Sequence, residues 1–297
     1  MRVIATCFKW LLLPVVAFTS GCTSSLERDD VLAYKVSHPL NLQQYYQSDW
    51  YRPDKHEIEE IRVIQPDGYL SRGVRLSVKD SDNTVFYLGG APYRDQQDDA
   101  DILGQLAFLG LNVVTFRQRG IDEHGYWPTL AQLKTDTDML YQSIKQRYEH
   151  EYLILHGAAM STFWVAEIAA QQNREAGVQQ ALVVEAPVTT VNELATDGDK
   201  WTWLREKQVA EDLASLDNYQ TLAEFDGPLL VLIAGEDTQV PAELSARFFA
   251  AQRSWKKSVA VIENTDEHSL LHSDDALAAY TQFVRKHGWE NTPDTVN

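Results

Sequence analysis

The sequence predicts an α/β fold: a mostly parallel sheet flanked by helices, with an antiparallel hairpin at its start and one short lid-like insert. Three observations predict it. Short apolar runs rich in β-branched residues end at glycine or turn residues, as buried strands do. Amphipathic stretches of helical spacing stand between those runs, the alternation expected of a parallel sheet covered on both faces. Pro66-Asp67-Gly68 is a strong turn signal between Ile61–Ile64 and Gly73–Val78, so these two runs read as a hairpin at the antiparallel edge.

The remaining elements follow in order. Thr84–Leu88 is a continuous apolar run closed by Gly89-Gly90, and Asp99–Leu109 has helical spacing stopped by Gly110. Asn112–Phe116 is a strand, Thr129–Arg147 a long amphipathic helix, Tyr152–His156 a strand and Ser161–Gln171 a helix. Ala181–Glu185 and Leu229–Ala234 are strands, Leu244–Ala251 a helix, Val259–Glu263 the last strand and Ala276–His287 the last helix. Residues 188–226 interrupt this rhythm. They contain WTWLREKQVAEDLASL, read as one helix, with Trp201 and Trp203 close together. An insert after a strand at the carboxyl edge of such a sheet acts as a lid or as a plain connector with a surface aromatic pair.

The chain of 297 residues, 44% of them hydrophobic, supplies one large core, assigned to residues 52–290, with a tail at 291–297. A formal charge of −17 repels phosphate backbones and argues against nucleic acid as a partner. Residues 1–21 join a basic start (Arg2, Lys9) to a short apolar run and small residues, the parts of an export signal. That run is too short to span a bilayer, which takes about 20 residues. Gly21-Cys22 resembles the lipobox of a bacterial lipoprotein, with Thr19 where that motif usually has leucine. The resemblance implies lipidation at Cys22 and a membrane-anchored protein of the cell envelope facing the periplasm or the exterior; residues 22–51, polar with weak periodicity, read as a tether or an adaptable arm. The other reading is a plain secretory signal. The only cysteines are Cys7 and Cys22, so removal of the signal with lipidation of Cys22 leaves no free thiol and no disulfide.

Four stretches in order, LGLNVVTFRQRG, PTLAQLKTDTDMLYQSI, PLLVLIAGEDTQVP and ENTDEHSLL, resemble the α/β-hydrolase superfamily, and within it the BEM46 and serine aminopeptidase S33 branch. The similarity runs from Ile61 to Trp289. It implies an α/β-hydrolase fold with a triad in chain order nucleophile, acid, base, and a tight strand-to-helix turn exposing the nucleophile. The acid position falls on Asp237 and the base on His268. Read without the resemblance, Asp237 caps the helix that Pro241 opens, and His268 is a surface loop histidine. The oxyanion-hole positions are Ala91 and Met160, whose backbone N–H groups survive side-chain change.

The nucleophile position departs from the pattern. The family's G-x-S-x-G stands here as Gly157-Ala158-Ala159-Met160-Ser161, so Ala159 occupies the nucleophile's place without a lone pair to attack a carbonyl. Ser161 is the alternative nucleophile, but the register that would make it so puts Phe163 where a small residue belongs. Its plainer role is a small helix-starting residue. No H-E-x-x-H, Cys/His cluster or G-x-G-x-x-G is present, so neither a metal nor a cofactor is expected. Two functions compete. One is a non-catalytic envelope protein that binds an acyl, peptide or glycan ligand, or another envelope protein. The other is a serine-type hydrolase using Ser161, or a water activated by His268. A stability-only scaffold is a third, weaker reading.

Overall fold

The computed structural model describes residues Ser25–Leu26, 40–89, 96–120, 127–173, 180–197, 208–266 and 269–287. In chain order the strands are β1 (Ser25–Leu26), β2 (His56–Ile64), β3 (Leu70–Val78), β4 (Asn83–Leu88), β5 (Asn112–Phe116), β6 (Tyr152–Ala158), β7 (Ala181–Glu185), β8 (Gln208–Val209), β9 (Leu229–Ala234) and β10 (Lys257–Ile262). The helices are α1 (Leu42–Tyr46), α2 (Gln96–Phe108), α3 (Leu130–Arg147), α4 (Thr162–Asn173), α5 (Val191–Asp197), α6 (Glu211–Ala214), α7 (Asn218–Thr221), α8 (Ala242–Ala251) and α9 (Asp274–His287). Eight strands form one sheet in the order β10-β9-β7-β6-β4-β5-β3-β2. β2 and β3 form the expected hairpin, β3 runs antiparallel to β5, and every other pairing in this sheet is parallel.

The pleat explains why continuous apolar runs are needed at the centre. Successive side chains of a strand point to opposite faces. Phe86 and Leu88 of β4 therefore join the cluster with Leu155, Val184, Val231 and residues of α3, α4 and α8. Val85 and Tyr87 join the other cluster, with Ile154, Val183, Leu230 and residues of α2 and α9. β4, β6, β7 and β9 are buried along their whole length, which places β6 deep in the centre of the sheet.

One feature of α3 follows from local sequence, and another from a distant arginine. Thr129 caps α3 through a capping box with Gln132, each side chain bonding the other residue's backbone N–H. Beyond β5, Arg119 forms paired contacts with two carboxylates: its Nη1 and Nη2 reach Asp67 at 2.7 and 3.0 Å, and its Nε and Nη2 reach Asp136 at 2.7 and 2.9 Å. The guanidinium also lies 4.1 Å from the Tyr69 ring centroid. Arg119 thus pins the hairpin turn, predicted at Pro66-Asp67-Gly68, to α3. The contact holds the Asp67 carboxyl down at about 2.

Two expectations need correction. Residues up to Tyr51 read as a tether, yet Tyr45 of α1 is buried, the Tyr46 hydroxyl donates to the Ile58 carbonyl, and Trp50 lies against Gly104, where any Cβ would meet its ring at 2.4 Å. Packing therefore reaches back at least to Leu40, because the aromatic residues of this polar segment join the apolar cluster beside α2. Secondly, the insert is not one helix across WTWLREKQVAEDLASL. Gln208–Val209 is a short strand paired in parallel with Ser25–Leu26, and among the described residues of the stretch only Glu211–Ala214 is helical; Trp201 and Trp203 lie outside the described residues. Val209 takes a cross-strand partner, an option that helical periodicity cannot reveal. The later part of the insert is packed down, with Leu213, Leu222 and Phe225 inside the core.

Candidate active site

The centre of the candidate site is the turn between β6 and α4. β6 lies between β4, with Leu88 opposite Gly157, and β7, with Ala158 opposite Glu185, so the turn opens at the carboxyl end of the central strand. Ala158 is still extended; Ala159 then takes a left-handed conformation, φ +47°, and a 3₁₀ turn over Ala159–Ser161 leads into α4. A non-glycine residue held there costs about 1–2 kcal/mol. The surroundings impose it. A Cβ on Gly157 would sit 2.4 Å from Val165 Cγ2 and 2.9 Å from the Ser161 carbonyl oxygen, so strand and helix approach as closely as a bare backbone allows.

Hydrogen bonds hold the turn from both sides. The Thr162 hydroxyl donates to the Ala159 carbonyl at 2.6 Å. Asn218, fully buried at the start of α7, donates through Nδ2 to that hydroxyl at 3.2 Å and to the Val188 carbonyl at 2.7 Å. On the other side, Ser161 donates its hydroxyl to the Gly89 carbonyl at 2.7 Å and accepts from Gln118 Nε2 at 2.9 Å. Ser161 is only 1% exposed. Its side chain joins the elbow to the segments following β4 and β5 and points away from solvent. Met160, the residue after the elbow tip, is buried in the same core cluster as Leu88 and Phe163. Ala91, the other oxyanion-hole position, lies outside the described residues.

The acid position lies two strands away. The Gly235 N–H donates to the Ile262 carbonyl at 2.9 Å and the Glu236 N–H to the Thr265 carbonyl at 2.8 Å, tying the loop after β9 to the loop after β10. Half-buried Asp237 accepts from the N–H groups of Gln239 and Val240 through one oxygen, at 2.8 and 2.7 Å. It is not the cap of α8, which begins at Ala242 with Pro241 in the N-cap position and no side-chain cap. The bonds to its own loop orient the carboxylate instead. His268 lies outside the described residues, but its flanks are fixed: the Ser269 N–H and hydroxyl both donate to Asp266 Oδ1, at 2.9 and 2.6 Å.

Sequence reasoning missed Gln118 and Asn218. Their elbow partners lie 43 and 56 residues away along the chain, so no local pattern marks them. It also assigned no role to His156. His156 is fully buried one residue before Gly157, with Nε2 3.5 Å from Glu185 Oε2 and Nδ1 3.4 Å from the Tyr280 hydroxyl. Burial pushes the Tyr280 hydroxyl far above its usual range. These three groups brace α9 against the underside of the central strands. Among the described residues, no three His, Cys, Asp or Glu side chains stand together as a metal site. No described helix is long and apolar enough to cross a membrane.

Comparison with proteins of known structure decides the fold. The esterase Pf2001 of Pyrococcus furiosus superposes with a TM-score of 0.63 at 15% identity, covering 86% of this chain and 98% of that one. The chain has the α/β-hydrolase fold. The esterase domain of a Rhodothermus marinus protein gives 0.58 at 17% identity over 78% and 100% of the two chains, and Est1E of Butyrivibrio proteoclasticus gives 0.58 at 15% over 78% and 98%. Among curated sequences, the zebrafish (Danio rerio) lysophosphatidylserine lipase ABHD12 is 26% identical over 185 residues, which are 58% of this chain and 48% of that protein. The match thus spans about half of the relative's length. No protein-family profile matches the chain.

Proposed function

We propose that this chain is an envelope lipoprotein with a hydrolase fold whose site lacks the nucleophile, and that it works by binding an acyl-type ligand in the former substrate cleft or by docking another envelope protein. The observation that carries this reading is Ala159 at the tip of an elbow that keeps its left-handed backbone. A methyl group there cannot form an acyl-enzyme. The hydroxyl two residues on is buried and engaged at both of its bonding positions, which speaks against Ser161 as a substitute. The names of the similar proteins, lipase and esterases, favour an acyl ester as the ligand class over a peptide or glycan. The branch of the superfamily is read from the BEM46 and S33 resemblance, and the anchor from the lipobox-like Gly21-Cys22.

The test is paired. The chain and its Ala159→Ser variant are assayed on short and long nitrophenyl esters and with a fluorophosphonate probe. Turnover and labelling by the Ser variant alone support the reading; robust turnover by the unsubstituted chain overturns it. One observation favours a second reading, hydrolysis by a water activated at His268: Asp237 is oriented by two N–H groups in a loop bonded to the histidine-bearing loop. Under it, His268→Ala abolishes a weak activity that Ser161→Ala leaves unchanged. The anchor is tested separately, by incorporation of labelled fatty acid that Cys22→Ala removes.

A further inference from the structure

β10 is one of the two outer strands of the sheet, and the chemistry of its free edge differs from that of the other. Along its inner side it pairs in parallel with β9. The Lys256 and Ile262 carbonyls point inward, accepting from the N–H groups of Leu229 and Gly235 at 3.4 and 2.9 Å. Because backbone groups alternate sides along a strand, the N–H and C=O of Lys257, Val259 and Val261 face outward. No described strand pairs with them.

Val259 and Val261 stand opposite Val231 and Ile233 of β9, which α8 buries, yet they remain 40% and 57% exposed themselves. Trp255, just before the strand, is 82% exposed. Outer strands that stay unpaired are commonly blunted by charges, proline or bulges. β2, the other outer strand, fits that rule with Glu57, Glu59, Glu60 and Arg62, whereas Ser258–Ile262 carries no charge.

We propose that β10 is a self-association edge, on which a second copy of this chain pairs its own β10 antiparallel about a two-fold axis through Ala260. The sequence KSVAVIE is self-complementary about that residue. Lys257 falls opposite Glu263 of the other copy and Val259 opposite Val261, so opposite charges flank an apolar centre. The outward-facing residues are all odd-numbered, and this register sets odd against odd, as hydrogen-bonded antiparallel pairs require. Centring on Val259 or Val261 keeps that parity but faces Lys257 or Glu263 with a valine. The basic end is held in place, since the Lys257 ammonium donates to the Phe249 and Gln252 carbonyls at 2.9 and 2.7 Å. The eight-stranded sheet then continues into a second one.

The test uses the full chain with Cys7→Ser and Cys22→Ser, which removes the background thiols. Sedimentation velocity shows a dimer at micromolar concentration, and the double variant Val259→Lys/Val261→Lys, which sets like charges across the axis, raises the dissociation constant about tenfold or more. In the assigned register the two Ala260 residues form a non-hydrogen-bonded pair with Cα atoms about 4.5 Å apart, within disulfide reach. Ala260→Cys therefore gives a disulfide-linked dimer on oxidation, and Ser258→Cys does not. A chain monomeric at 100 μM (about the upper limit of the measurement) overturns the proposal. So does a dimer that survives the double substitution, or a cross-link that forms at 258 and not at 260.

Discussion

The elbow after β6 and the loop after β9 open at the same end of the sheet, two strands apart, and differ in what they carry. In the loop after β9 the N–H groups of Gln239 and Val240 hold the Asp237 carboxylate. At the elbow Ala159 takes φ +47°, and its methyl group offers no lone pair. The turn is therefore held by its neighbours and not by its tip. Gly157 leaves no room for a Cβ, Thr162 and Asn218 secure the Ala159 carbonyl, and Ser161 bridges Gly89 and Gln118. A geometry built by packing does not depend on the residue at its tip.

The largest expected effect places a hydroxyl at the elbow and so tests the proposed reading directly. Ala159→Ser should raise ester turnover about 10⁴-fold or more, because the loss of a triad nucleophile costs at least that in related chemistry. Adding Asp237→Asn should remove most of the gain, by disturbing the tautomer of the base. A Ser variant that is indifferent to Asp237 would break the comparison, since the acid loop would then be no more functional than the elbow.

The next effect concerns what holds the elbow. Gly157→Val must displace Val165 and the first turn of α4, and should cost about 3 kcal/mol, read as a fall of several degrees in melting temperature. Asn218→Ala should cost about 1–2 kcal/mol, because the buried Val188 carbonyl and Thr162 hydroxyl lose a donor. In the Ala159→Ser background the same change should lower turnover, by loosening the tip. Ala159→Gly works in the opposite direction: relief of the left-handed conformation should stabilise the fold by up to about 1 kcal/mol, less what glycine adds to unfolded-state entropy. If that variant is destabilised, the elbow is not strained.

The smallest effect separates an architectural carboxylate from Asp237. Asp67 is held down to about 2 by Arg119, so its folded value lies below its unfolded one. The stability it adds is present above the usual carboxylate range and is lost as pH falls through about 4 toward 2. Asp67 is 43% exposed, so screening reduces the effect to a few tenths of a kcal/mol. Asp67→Asn should flatten the acid limb of the stability profile, measured by urea titration from pH 5 to 2, and leave the elbow variants unaffected.

Much of the fold was legible in the chain because its signals are local. Strand runs such as Thr84–Leu88 and Leu229–Ala234, the Pro66-Asp67-Gly68 turn and the capped start of α3 each depend on residues within a few positions of one another. The identity of Ala159 at the elbow and of Asp237 in its loop is likewise written in the sequence. Only the tertiary structure decided what Ser161, Asn218, Gln118 and Tyr45 do, and that WTWLREKQVAEDLASL breaks at a strand. In each case the partner comes from a distant segment, and burial then sets the role. A hydroxyl that reads as a spare nucleophile in one dimension becomes, once Gly89 and Gln118 close around it, a bracket for the turn beside it.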